Sequence, residues 1–509
     1  MWIPATLISV LACLLIMHFL KQCWSHKNYP PGPLRLPLIG SIWRIIPNFS
    51  QDTFIKLAKQ YGNIYTIWAG SLPVVVLSGI ETVKEGVVKH SEYFDERPET
   101  PFFKALGNEN GIGLSNGHTW KQQRKFAILI LRKLGLGKKG IEHKIEEEAH
   151  QLVETFARAK GQPLDPSSPV SNSVTNVICS LIFGQRFSLK DEEFIKLKDA
   201  LWNIIQFSMT FFQLLYDTLP WLMKHLPGPH KKVFASRDFI SSFARKEVEK
   251  HKTHRSLVEP QDFIDYYLLQ IEKSKKDPDS SYNEENLSQC ICDLFAAGTE
   301  TITHILLWAL VLMANHPDIQ EKVQKEIDEV LGSSKSFSYQ NWKKLPYTSA
   351  VIHEIQRFKY ILLFGVPRQC SKDVNIMGFL IPEGAIVIPD ARCVLFDPKH
   401  WETPQEFNPN NFLDKDGKFV EKEEFLLFGA GKVAPHRCQG NCLSGTPGMT
   451  GQRTHGQKAP MFGRFVRKTR AHGLRVREGR TGGPYMYWAA VGKDRTLHLL
   501  HQSAEVIHL

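Results

Sequence analysis

Residues 290–313 (CICDLFAAGTETITHILLWALVLM) are almost continuously apolar and constrain the fold more than any other part of the chain. A helix that is apolar on all sides must be buried, so this segment predicts a central core helix. One polar cluster, residues 297–301 (AGTET), interrupts it. A buried acid beside an alcohol needs partners or a function, and the pair can relay protons to a bound reactant. The alternative is a satisfied polar patch inside a core helix.

The remaining pattern predicts a mainly α protein with a minor β part. Helical periodicity dominates from Lys121 to about Lys250 and returns over residues 260–333. Residues 63–78 predict a β-hairpin, and short apolar runs over 362–395 predict a small sheet. Apolar residues make up 42% and charged residues 23% of the chain, which excludes collagen-like, coiled-coil and wholly disordered proteins.

The chain changes character near residue 432. Residues 433–509 carry 12 Lys and Arg against 3 Asp and Glu, whereas the first 432 residues carry 51 basic and 49 acidic groups. This Gly- and Arg-rich tail is predicted to be poorly ordered. Its positive charge alone is weak evidence for nucleic-acid binding, so no nucleic-acid partner is expected. Nine scattered cysteines favour a reducing compartment over a disulfide framework.

Residues 2–20 predict a single transmembrane anchor. The run contains no Lys, Arg, Asp or Glu, and nineteen helical residues span about 28 Å, close to the hydrocarbon thickness of a bilayer. Basic residues follow the run and none precedes it, so the positive-inside rule places the body in the cytosol. Residues 21–40 then form a basic, Pro-rich hinge that includes Pro30-Pro31-Gly32-Pro33. The alternative is a buried N-terminal helix.

Several weaker motifs follow in the chain. Glu354 and Arg357 lie one turn apart on a predicted helix over 347–358 and can form a pair. Trp120 and Arg124 begin another helix, where the arginine can bind an acidic group. For Glu354 and Arg357 the alternative is a surface salt bridge. For Trp120 and Arg124 the alternative is a solvated helix with one core tryptophan.

Taken together and in this order, the motifs resemble a microsomal cytochrome P-450, a haem-thiolate monooxygenase, over residues 1–432. Within that family the chain most resembles the vertebrate subfamily that epoxidises and hydroxylates polyunsaturated fatty acids such as arachidonate. The resemblance implies the P-450 fold behind one N-terminal transmembrane helix, with residues 41–432 as the haem domain. The features that carry it are the anchor, the Pro-rich hinge, Trp120 with Arg124, residues 297–301, Glu354 with Arg357, Val366-Pro367-Arg368, the Pro- and Phe-rich segment 404–412, and Phe428 with Gly431.

The resemblance also implies roles for individual residues. Trp120, Arg124 and Arg368 are expected to hold the haem propionates, and Ala297 to lie over the haem. Glu300 and Thr301 are expected to deliver protons for O–O bond cleavage. Glu354 and Arg357 are expected to form a buried structural network, whose usual basic third member is replaced here by Asn411. Phe428 and Gly431 are expected to belong to the loop that binds the haem.

Substrate contacts are expected from residues 101–117, from the helices around 205–235, from the helix near Asp293, and from Leu363–Val366. These segments are largely apolar, which suits a lipid chain. The implied cofactor is haem b with its iron, and NADPH acts indirectly through a reductase. The implied partners are NADPH–cytochrome reductase, with cytochrome b5 as a further electron donor, at the cytosolic face of the endoplasmic reticulum membrane. A basic face on residues 121–139 is expected to meet the acidic reductase.

The haem loop departs from the family pattern, Phe-x-x-Gly-x-Arg/His-x-Cys-x-Gly. Phe428 and Gly431 fit, but the cysteine position is Pro435, and proline cannot ligate iron. Cys438-Gln439-Gly440 keeps the Cys-x-Gly pattern three residues later, so Cys438 is the candidate iron ligand if the extra residues loop out. The alternative is that Cys438 and Cys442 are unstructured.

Two functions remain open at this stage. The first is a haem monooxygenase that inserts one oxygen atom of O₂ into an apolar substrate. The second is a catalytically impaired splice or frameshift variant, which acts, if at all, as a non-catalytic membrane protein. The abrupt loss of pattern after Lys432 motivates the second hypothesis.

Overall fold

A computed structural model describes Met17 and residues 27–45, 51–107, 109–135, 141–160, 162–208, 210–254, 259–332, 344–360, 366–426 and 488–489. The predicted anchor, apart from Met17, lies outside these residues. The helices are α1 Gln51–Tyr61, α2 Ile80–Val83, α3 Pro101–Leu106, α4 Gly117–Lys133, α5 Glu142–Arg158, α6 Ser167–Ile182, α7 Glu192–Phe207, α8 Phe211–Thr218, α9 Pro220–Met223, α10 Pro229–His254, α11 Phe263–Ser274, α12 Glu284–Asn315, α13 Pro317–Leu331, α14 Pro346–Phe358 and α15 Ala391–Leu395.

The strands are short, which confirms the prediction of a mainly α fold with a minor β part. They are β1 Ile64–Ala69, β2 Leu72–Leu77, β3 Pro163–Leu164, β4 Arg368–Gln369, β5 Val374–Ile376, β6 Phe379–Ile381, β7 Ile386–Pro389 and β8 Trp488–Ala489. The predicted hairpin is β1–β2, and β2 continues into a four-stranded sheet of order β1-β2-β7-β4, in which β2 and β7 are parallel.

The central helix α12 is longer than the apolar run that predicted it. Asn283 caps its first turn by accepting a hydrogen bond from the Asn286 amide, and Pro317 ends the pattern by starting α13. Buried side chains from α4, α5, α6, α7, α10, α11 and α14 share one hydrophobic core with it. In the described part of the chain, α12 alone is long and apolar enough to cross a membrane, but more than half of its most apolar window is buried inside the protein.

The Pro-rich hinge packs against the sheet through its backbone. The amide of Thr66 in β1 donates to the Pro31 carbonyl at 2.8 Å, and a Cβ on Gly32 would lie 1.9 Å from the Thr66 carbonyl oxygen. Glycine is therefore required there for close approach of two backbones. At the far end of the chain, β8 pairs with β3, so this short part of the tail contacts the body.

Gly298 allows α12 to approach α6 closely, and this contact makes a prediction. A Cβ on Gly298 would lie 2.6 Å from Cδ1 and 2.9 Å from Cγ1 of Ile178. We expect Gly298→Ala to lower the free energy of unfolding by about 1–2 kcal/mol, since overpacking outweighs the gain in helix propensity. Urea unfolding measures the change. In an Ile178→Val background the cost should shrink, and an equal cost in both backgrounds would contradict the contact.

Candidate active site

The polar cluster of α12 lies on the central helix, with Ala297, Glu300 and Thr301 each only partly buried. The Thr301 hydroxyl donates to the Ala297 carbonyl at 2.6 Å, and the Thr303 hydroxyl donates to the Thr299 carbonyl at 2.9 Å. These bonds fix the rotamers of the two hydroxyl groups. The oxygen of Thr301 can still accept a hydrogen bond from a proton donor. The hydroxyl of Thr299 is buried without a partner among the described residues.

Glu300 stands in a weakly solvated position between α12 and α7. Burial raises the pKa of its carboxyl group, and the nearby ammonium of Lys198 opposes that rise. Burial also lowers the pKa of Lys198, whose Nζ donates to the Asn172 Oδ1 on α6. Glu300 therefore holds a proton more readily near neutral pH than an exposed glutamate does, which suits a group that passes protons on.

Three arginines lie near one another at a second place in the fold. Arg97 precedes α3, Arg124 lies on α4 and Arg368 begins β4, so three separate elements place them. Burial, together with the positive charges of Arg368 and Arg124, lowers the pKa of Arg97 to about 9. Burial lowers the pKa of Arg368 to about 10; the neighbouring Asp95 acts against that decrease, while Arg124 adds to it. Burial also lowers the pKa of Arg124, and its guanidinium lies 5.4 Å from the Trp120 ring centroid.

The arginine cluster (Arg97, Arg124, Arg368) is suited to an anion. Arg97 and Arg368 are 5% and 2% exposed, and the Nη1 atom of each is buried with no hydrogen-bond partner among the residues that the structure describes. Such groups are unfavourable unless a counter-charge is bound. Guanidinium groups bind carboxylates strongly, and haem carries two propionate carboxylates. The residues present therefore fit the propionate side of a haem.

Arg97 is the member of this cluster that the sequence analysis missed. In the sequence it follows Asp95 and Glu96, so it looks like part of a surface ion pair. The fold instead joins Glu96 to Gln369 through a backbone hydrogen bond of 2.9 Å, which brings Arg97 beside Arg368. Its position is further fixed by Asn116, which accepts from the Arg97 amide at 2.7 Å and donates to its carbonyl at 3.0 Å.

Glu354 and Arg357 on α14 form a fully buried ion pair. Arg357 donates to both carboxylate oxygens at 2.7 and 2.8 Å, and its remaining donors reach the carbonyls of Leu395, Pro404 and Glu406. Asn411 donates to Glu354 at 3.2 Å, in the place where a basic third member was expected. The pair thereby ties α14 to the Pro- and Phe-rich segment, which contains a 3₁₀ turn at Pro409–Phe412.

One carboxylate joins two of the predicted substrate-contact segments, the loop within 101–117 and the helix near Asp293. Asp293 on α12 accepts from the amides of Ile112 and Gly113 at 2.7 and 2.9 Å, so its carboxylate anchors the loop between α3 and α4. Burial raises the pKa of Asp293, and these amides oppose the rise. Apolar side chains from α3, α7, α8, α9 and α10 pack together above this loop.

Some predicted residues lie outside the described part of the chain. These are Phe428, Gly431, Pro435, Cys438, Lys138, Lys139 and residues 363–365. Four basic residues of α4 line a groove of about 430 Å³ together with apolar side chains. Lys133, also expected on the basic face, instead lies with its Nζ 5.0 Å from the ring centroid of Tyr266 on α11. The residues lining it are Trp120, Lys121, Arg124, Lys125, Ile128, Leu129 and Arg132.

Comparison with known proteins gives a family match over most of the chain. The family model for cytochrome P450 matches residues 30–444, which runs past Lys432 and includes Cys438. Human cytochrome P450 2J2 is 39% identical over 444 residues, covering 87% of this chain and 88% of that protein. Mouse (Mus musculus) cytochrome P450 2J5 is 39% identical over 441 residues, covering 86% and 87%. Rabbit (Oryctolagus cuniculus) cytochrome P450 2B4 is 37% identical over 426 residues, covering 84% and 87%.

The buried pair on α14 makes a stability prediction. Arg357→Met keeps a long side chain but leaves the Glu354 carboxylate buried without its cation, so we expect a loss of about 3–5 kcal/mol in the free energy of unfolding. Urea unfolding measures it. The control, Lys196→Met, breaks a solvent-exposed pair with Glu192 and should cost less than about 0.5 kcal/mol. Similar losses for the two variants would show that the pair does not hold the segment.

Proposed function

Because the chain belongs to the cytochrome P450 family of haem monooxygenases, we propose that it oxidises lipid-like substrates, with fatty acids such as arachidonate as the favoured class. Family members bind haem iron and use electrons that a reductase supplies from NADPH. The single observation that carries the proposal is the arginine cluster, whose unpaired buried donors fit the two haem propionates. The comparisons favour this function over the non-catalytic membrane protein, since the family match spans residues 30–444.

Haem, when bound, supplies the activation of O₂ and the insertion of one oxygen atom into the substrate. Haem binding and proton delivery are assigned to residues of the chain. Arg97, Arg124 and Arg368 would hold the propionates, and Ala297 would form part of the wall of the haem pocket. Glu300 keeps a proton at its carboxyl because burial raises its pKa. The hydroxyl of Thr301, oriented by the Ala297 carbonyl, would relay that proton into the haem pocket.

Cys438 is the proposed iron ligand. Support comes from the Cys-x-Gly pattern at Cys438-Gln439-Gly440, from Arg437 before it, and from a family match that continues to residue 444. Pro435, at the position of the family cysteine, has no group that can bind iron. A thiolate ligand donates electron density to the iron and favours O–O cleavage, so this assignment decides whether the chain is active.

The proposed location is the endoplasmic reticulum membrane, with the body in the cytosol. Residues 2–20 supply the anchor, and a second contact comes from apolar side chains on and beside α8 and α9. Phe212, Trp221 and Leu226 are 45%, 67% and 41% exposed. Exposed apolar patches of this kind mark membrane or protein contacts. The basic groove on α4 receives the acidic reductase and, as a further electron donor, cytochrome b5.

The absorbance spectrum of the reduced, carbon monoxide-treated protein tests the iron ligand. We expect the red-shifted Soret band of thiolate ligation in the parent chain and in Cys442→Ser, and its loss in Cys438→Ser. Haem binding without that band in the parent would contradict the assignment of Cys438.

The substrate class is tested next with reductase, NADPH and arachidonate. Oxygenated products that require NADPH and disappear in Cys438→Ser are expected. A chain that shows the thiolate band but oxidises no fatty acid would contradict the substrate class while leaving the haem assignment intact.

A further inference from the structure

Gln123 on α4 is a fully buried amide whose hydrogen-bonding positions are all used. Its Oε1 accepts from the hydroxyl of Tyr267 on α11 at 2.6 Å and from the thiol of Cys290 on α12 at 3.5 Å. Its Nε2 donates to the carbonyl and to the hydroxyl of Ser281, at 3.1 and 2.9 Å. Burial raises the pKa of Tyr267 and of Cys290, so both keep the protons that they donate. A buried polar network that is fully satisfied makes the elements that it joins rigid.

The preceding residue, Gln122, binds the same turn of the chain. Its Oε1 accepts from the Ser281 amide at 2.9 Å and from the Ser281 hydroxyl at 2.8 Å. Its backbone carbonyl accepts from the Tyr282 hydroxyl at 3.2 Å. Ser281 comes two residues before Asn283, which caps α12. The glutamine–serine contact (Gln122, Gln123 and Ser281) therefore joins α4 to the start of the central helix.

An aromatic contact supports the same face of α4. The ring centroid of Phe126 lies 5.1 Å from that of Tyr267 and 5.5 Å from that of Tyr282. Residues 122, 123 and 126 share this face because successive helical positions are about 100° apart. By the same spacing, Trp120 and Arg124 lie about 130° around the helix axis from it. One side of α4 is thus held by the core, while another side presents Arg124.

Arg124 depends on the placement of its helix more than the other two members of the arginine cluster do. Arg97 is fixed by its backbone bonds to Asn116, and Arg368 by the pairing of β4 with β7. Both lie near Arg124, and their like charges repel it. This repulsion favours movement of α4 away from the cluster, and the glutamine–serine contact opposes such movement from the far side of the helix.

We propose that Gln123 is a positioning residue, which sets the rotation of α4 so that Arg124 stays in the arginine cluster and meets the carboxylate that the cluster binds. Gln122 and Ser281 complete the contact. The proposal rests on the proposed function only for the identity of that carboxylate, a haem propionate.

Chemical modification of arginines tests the position of Arg124. The full chain in phospholipid nanodiscs is treated with phenylglyoxal, and mass spectrometry follows the modification of each arginine. Gln123→Leu keeps a side chain of similar size but removes all four bonds, so Arg124 should react severalfold faster than in the parent. Arg132, exposed on the same helix, is the internal reference and should react at an unchanged rate.

Two further variants make this test specific. Gln122→Ala, at a half-buried position, removes fewer bonds and should change the Arg124 rate in the same direction by a smaller factor. Asn176→Leu is the matched control, because the Asn176 amide on α6 is equally buried but bonds to the backbone of Phe187 at 3.0 and 3.1 Å. It should leave the Arg124 rate unchanged.

Comparison of haem with haem dimethyl ester separates positioning from a general loss of structure. The parent should bind haem more tightly than the ester, which lacks both negative charges. Gln123→Leu should reduce that preference severalfold and bind the ester almost as well as the parent does. Asn176→Leu should keep the preference, since a purely structural defect weakens the binding of both compounds alike.

Two results would overturn the positioning role: an Arg124 rate in Gln123→Leu equal to that of the parent, or an unchanged preference for haem over the ester in that variant. Equal binding of the two compounds by the parent would instead contradict a haem propionate as the bound carboxylate. The reactivity of Arg124 would then still decide whether Gln123 positions it.

Discussion

The buried guanidinium groups of Arg97 and Arg368 and the half-buried one of Arg124 repel one another, and Arg97 and Arg368 each carry a donor that no described residue satisfies. Folding tolerates such an arrangement when an anion joins it, because a buried charge without a partner costs several kcal/mol. Arg97, Arg124 and Arg368 come from a loop, a helix and a strand, so the sheet, α4 and the core must all be in place before the cluster exists. The cluster thus ties the fold to its cofactor.

The helix α12 supplies the other half of the site. Its polar groups have distinct environments: Thr301 is oriented by its own helix, Glu300 lies near Lys198, and Asp293, one turn before the polar cluster, holds a loop. Close approach of α6 at Gly298 leaves that region little freedom to relax. The same helix therefore carries the groups proposed to transfer protons and holds the loop between α3 and α4.

Local patterns predicted the elements well. The β-hairpin and the helix that carries Glu354 and Arg357 follow from short-range periodicity and backbone chemistry. Contacts between distant segments were not predictable in this way. Arg97 becomes a site residue only because Glu96 pairs with Gln369, and Asp217 finds the amide of Phe102 across 115 positions of sequence. Asn411 also takes a place in the network that the family pattern gives to a base, since an amide can donate to the same carboxylate.

The central claim is that the arginine cluster exists to bind the carboxylates of haem. Reconstitution of the apo chain with haem and with haem dimethyl ester tests it directly, because the ester keeps the iron and the ring but removes both negative charges. The account predicts that haem binds at least about tenfold more tightly than the ester, and that Arg97→Leu removes most of the difference. Equal affinity of the parent chain for the two compounds would contradict it, whichever residue ligates the iron.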